Sequence, residues 1–129
     1  MALISLVIAL TSLGYNTWRN EATEANRNQR TAAFEALLQI GRLQELVFYS
    51  HYDHSAERGN PRSGWALVLT LEDLSMLLPE RCQQASQKLH TQWQEHWSEL
   101  GQEEQAATEI LGAIDHLRDE TQLLLQSLD

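Results

Sequence analysis

The stretch Ala107–Leu128, ATEILGAIDHLRDETQLLLQSL, decides the fold. Ala107, Ile110, Ile114, Leu117, Thr121, Leu124 and Leu128 recur in it at alternating steps of three and four. That spacing puts them on one side of an α-helix, in a heptad-like seam that another helix must cover. A strand cannot use it, because strand side chains change face at every residue.

Working back toward the N-terminus, the same rhythm recurs. Cys82, Ala85, Leu89, Trp93, Trp97 and Leu100 share one face of a third helix. Pro79 suits its first turn and Gly101 its left-handed end, with Glu103 and Glu104 opening the helix after it. Leu67, Leu71, Leu74 and Leu78 define a second helix, expected to be capped by Ser63 and to begin near Gly64 or Trp65. Gly59-Asn60-Pro61 reads as a stop within a loop from His51 to Ser63. Before that loop, Ala33, Leu37, Ile40, Leu43 and Val47 form the stripe of a first helix, which Phe34 and Leu38 widen and which runs to about Ser50. Gly41 lies inside this helix, where it costs about 1 kcal/mol relative to Ala, and is expected to admit a neighbouring helix closely. The fold class is all-α: a small antiparallel bundle of about four helices joined by short connections.

Residues Ala2 to Leu13 carry no charge and are mostly Leu, Ile, Val and Ala. Tyr15, Trp18 and Arg19 come next, the residue types that settle at a membrane–water boundary. Residues 1–18 are therefore expected to form a transmembrane signal anchor, and residues 19–129 the bundle domain, with the first helix continuous between them. A helix of 18 residues rises about 27 Å, barely the thickness of a hydrocarbon core of about 30 Å. Arg19, Arg27 and Arg30 lie after the span and no basic residue before it, which orients the bundle toward the cytoplasm.

Composition narrows the function classes. Nine Lys and Arg against 18 Asp and Glu leave a net charge of −9 on 129 residues, which disfavours nucleic acid as a partner. One cysteine, Cys82, excludes an internal disulfide framework. The densest polar cluster is His51, Asp53 and His54, whose imidazoles and carboxylate are the donors that zinc, nickel or copper take. The same histidines also suit a helix C-terminus, where a protonated ring meets the dipole. The residues three before His90, His96 and His116 are Gln87, Trp93 and Ala113, so the Glu-x-x-His pairs of di-iron bundles are missing. No nucleotide, hydrolase or zinc-protease motif occurs, no catalytic residue is assigned, and no cofactor is expected.

The run Tyr15-Asn16-Thr17-Trp18-Arg19-Asn20-Glu21, with Asn26-Arg27-Asn28 and Arg30, resembles the juxtamembrane signature of an uncharacterised family of small bacterial single-span membrane proteins with a helical domain. Gly59-Asn60-Pro61-Arg62, Gly64-Trp65 and Glu72-Asp73-Leu74-Ser75 fit the same resemblance. It implies a single-pass protein of the bacterial inner membrane and carries no catalytic residues. The expected function is non-enzymatic protein–protein contact at the membrane, by self-association or by docking to a membrane partner. Phe34, Leu38, Leu111 and Leu125, beside the main stripes, are the candidate contact residues. The alternative is a small-ligand or metal-sensing domain at the membrane, centred on His51, Asp53 and His54.

Overall fold

A computed structural model describes residues 2–128; Met1 and Asp129 lie outside the described residues. Four α-helices succeed one another: α1 Ala2–His51, α2 Pro61–Ser75, α3 Glu80–His96 and α4 Glu104–Ser127, with a short 3-10 turn at Trp97–Glu99. Among the described residues there is no strand. α1 packs on α2 and α4, and α3 on the same two helices, so sequential helices are neighbours and the ring closes between α4 and α1. This is the up-and-down arrangement that short connections impose.

One apolar face per helix builds the core. Ile40, Leu43 and Val47 of α1 meet Val68 and Leu71 of α2, Leu89 and Trp93 of α3, and Ile110, Ile114 and Leu117 of α4. A second cluster, Ala32, Ala33, Leu78, Cys82 and Leu124, fills the bundle at the end where α1 leaves it. The seam of α4 is buried from Ala107 to Leu124. Each large side chain so buried gains about 1.5–3 kcal/mol over its exposed state.

The helix ends differ from expectation at several places: α2 stops at Ser75, Pro79 caps α3 from outside it, and α3 stops at His96, four residues before Leu100. α2 starts at Pro61, and Asn60 is its cap, with Asn60 Oδ1 accepting from the Arg62 N–H at 3.0 Å. Pro61 therefore opens α2 instead of only ending the loop, since a first-turn N–H has no helical acceptor to lose. Ser63 lies inside the helix. α1 ends at His51, and Gly101 takes the left-handed conformation at φ 92°.

Two glycines are set by close approach. A Cβ on Gly64 would overlap the indole of Trp93, and one on Gly59 would overlap the backbone of Tyr49 and Ser50. Gly41 is the reverse of its expected role, because no atom lies within 4 Å of where its Cβ would be. Gly64→Ala is expected to destabilise the bundle by about 1–3 kcal/mol through overpacking, whereas Gly112→Ala, in open space on α4, should stabilise it by about 0.5–1 kcal/mol. Urea unfolding of the two variants checks both signs.

Candidate functional site: an unpartnered face of the first helix

α1 is about 75 Å long at 1.5 Å per residue over its 50 residues, far longer than the bundle it belongs to. Its contribution to the core begins at Ala32, and every residue from Ala2 to Ala25 is exposed. Half of α1 therefore projects into solvent.

Within the bundle, α1 buries Ala33, Ala36, Ile40, Leu43, Val47 and Ser50, a row at alternating steps of three and four. A second row with the same spacing lies opposite it within the bundle and continues toward the N-terminus, drifting about 20° per heptad around the helix. It begins Leu3, Leu6, Leu10 and Leu13, continues through Thr17, Asn20, Glu24, Arg27 and Thr31, and ends Phe34, Leu38, Gly41, Glu45, Phe48. Every member is exposed, from Leu3 at 78% to Phe48 at 41%. Phe34 and Leu38 thus do not widen the bundle stripe; they stand on this outer row. Sequence reasoning missed the row as a whole, although its spacing is written in the chain, because polar residues occupy its middle third.

Tyr15 and Trp18, expected at a membrane boundary, are exposed on the projecting half with ring centroids 6.2 Å apart, and Arg19 is exposed beside them. Leu111 and Leu125 are half-buried against the two core clusters. His51 closes α1, its ring edge-on to Tyr52 at 4.7 Å and its Nδ1 buried without a partner. Asp53 and His54 lie in the loop beyond, His54 at φ 49°. Among the described residues no three His, Cys, Asp or Glu side chains are grouped so as to hold a metal. The three expected ligands are not brought together, because the chain leaves the helix between the first and the other two.

Other polar pairs knit the bundle. Glu72 of α2 and His90 of α3 meet at 2.7 Å, with Trp65 edge-on to the His90 ring. Arg81 pairs with Glu120 at 3.1 Å, joining α3 to α4. The buried thiol of Cys82 donates to the Glu120 carbonyl oxygen at 3.7 Å. Burial pushes this thiol above its ordinary pKa, and the Glu120 charge adds to the effect against the opposing pull of Arg81 and Thr121.

Comparison with protein families, curated proteins and solved structures finds no match to this chain. The resemblance to a single-span membrane family is therefore not upheld. Among the described residues no helix is long and apolar enough to cross a membrane, so the anchor expected at 1–18 and the inner-membrane, single-pass placement are not supported. The uncharged aliphatic run Ala2–Leu13 rises only about 18 Å against a core of about 30 Å, and Gly14, Tyr15, Asn16 and Thr17 end its apolar character. There remains an uncovered helix half whose first dozen residues, Ala2–Leu13, are apolar.

Cys82 gives a check on the packing at the bundle's open end. Its thiol should react with a disulfide reagent at least about a hundredfold more slowly in the native protein than in urea. A folded-state pKa above the unfolded value means stability held below about pH 8.5 and lost as pH rises through the folded value. The fall in urea midpoint above that pH should accordingly be larger in the native sequence than in Cys82→Ala.

Proposed function

We propose that this chain is a non-enzymatic contact protein that self-associates through α1, with the four-helix bundle as the rigid holder of that helix. The observation that carries the reading is the uncovered projecting half, with Leu3, Leu6, Leu10 and Leu13 in a row and each more than half exposed. Apolar surface on this scale marks an interaction site. An isolated helix of this kind is also marginal in water, so most of its stability must come from packing against a partner.

Charge supports the same location. The chain carries −9 in total, so two bundles repel one another. Ala2–Trp18 has no charged side chain. It is the stretch of surface on which copies of an acidic protein can meet without that repulsion.

Light scattering behind size exclusion on the full chain tests the proposal. The expected mass is a multiple of the 14.7 kDa chain, and Leu10→Glu should raise the dissociation constant roughly a hundredfold, because it puts an unpaired charge into the contact. A single-chain mass at every concentration, or association unchanged by Leu10→Glu, would overturn it.

A further inference from the structure

We infer that the outer row of α1 is covered by the same row of a second copy running antiparallel, about a two-fold axis that passes between Glu24 and Arg27. This rests on the self-association reading and adds to it a direction, a register and an ion pair.

The row is self-complementary when reversed. Setting Glu24 opposite the partner's Arg27 brings every member from residue 3 to residue 48 opposite another member, because the alternating steps of three and four are the same read backwards from that point. Heptad rows in antiparallel pairs meet in this way, the first apolar position of one helix facing the second of the other. The two-fold axis makes the contact isologous and closed, as most homodimer contacts are.

Residue chemistry matches across five of the seven layers; the other two set Thr17 on the partner's Phe34 and Leu6 on the partner's Glu45. Leu13 faces the partner's Leu38, and Leu3 faces the partner's Phe48, so the exposed N-terminal leucines lie on the exposed aromatic and aliphatic side chains of the partner's bundle half. Leu10 faces the partner's Gly41, where nothing lies within 4 Å of the missing Cβ. A large side chain opposite an empty position fills the layer, and Gly41, which nothing in its own chain requires, gains a reason. The polar third pairs with itself: Asn20 faces the partner's Thr31, and Glu24 faces the partner's Arg27, twice by symmetry. Leu6 meets the methylene stem of the partner's Glu45, whose carboxylate can stay in water.

Other pairings fit less well. A parallel pair in register sets Glu24 on Glu24, Arg27 on Arg27 and Glu45 on Glu45, three layers of like charge. An antiparallel pair displaced by one heptad keeps Leu6 on Leu38 but sets Leu13 against Thr31, Thr17 against Arg27 and Asn20 against Glu24. Both ion pairs are then lost. Space is available on the required side, since the row lies opposite the buried Ala33–Ser50 row that meets α2 and α4.

Cysteine cross-linking of the full chain, read beside light scattering, decides between them. In Leu13→Cys/Leu38→Cys, oxidation should give a covalent dimer in high yield, while each single variant gives none, because like positions then sit about 37 Å apart. Both positions are exposed, so neither substitution threatens the fold, and the native Cys82 is buried. A covalent dimer from Leu13→Cys alone overturns the antiparallel direction. Preferential cross-linking of Leu6→Cys/Leu38→Cys overturns the register. Non-covalent association with neither cross-link overturns the pairing but leaves self-association standing, whereas a single-chain mass removes both. A charge swap gives an independent readout. Glu24→Arg alone should raise the dissociation constant about tenfold, and Glu24→Arg/Arg27→Glu should restore it to within about threefold. Equal weakening by single and double changes would contradict the Glu24–Arg27 pair.

Discussion

Everything outside the bundle depends on how one side of α1 is held between Ala33 and Ser50. That row is buried against α2 and α4, and it fixes both the direction of the helix and the face it turns away. An α-helix carries a three-four row with a drift of about 20° per heptad, which the left-handed supercoil of a paired helix removes. A second row of the same period on the far side is therefore held in fixed relation to the first. The bundle does not only anchor α1; it decides which side of the projecting half faces the same way as Phe34 and Leu38.

The bundle itself is ordinary in its physics. Its large side chains meet at one level after another, and small ones sit where helices converge: Gly64 under the Trp93 ring, Gly59 against the end of α1. Polar pairs join α2 to α3 through Glu72 and His90 and α3 to α4 through Arg81 and Glu120. These are partly exposed and contribute little to stability. The weight rests on apolar burial, and every helix contributes to it.

Much of this is legible in the chain. The three-four spacing locates all four helices, and the end of α1 falls within a residue of where the residues place it; Gly101 is left-handed as expected, but α3 has already ended at His96 and a 3-10 turn lies between. Pro61 is ambiguous because a proline marks either the end of one element or the first turn of the next, and only the Asn60 cap decides between them. The site is harder. Phe34 and Leu38 lie next to buried neighbours in sequence, and only the packing shows which side they face. Ala2–Leu13 is apolar on most sides, which period alone cannot assign to lipid or to protein; among the described residues no helix is long and apolar enough to span a membrane. His51, Asp53 and His54 are close in sequence and apart in space, because a helix end falls between them.

Hydrogen exchange of the amides of residues 2–31, monitored as chain concentration is raised, tests most directly whether α1 is completed by another copy. A helix half with no partner opens freely, and a paired one opens only when the pair does. Completion by a second copy requires protection of these amides that rises with concentration while that of α2, α3 and α4 stays constant. Protection that is independent of concentration, or absent throughout the range, would contradict it.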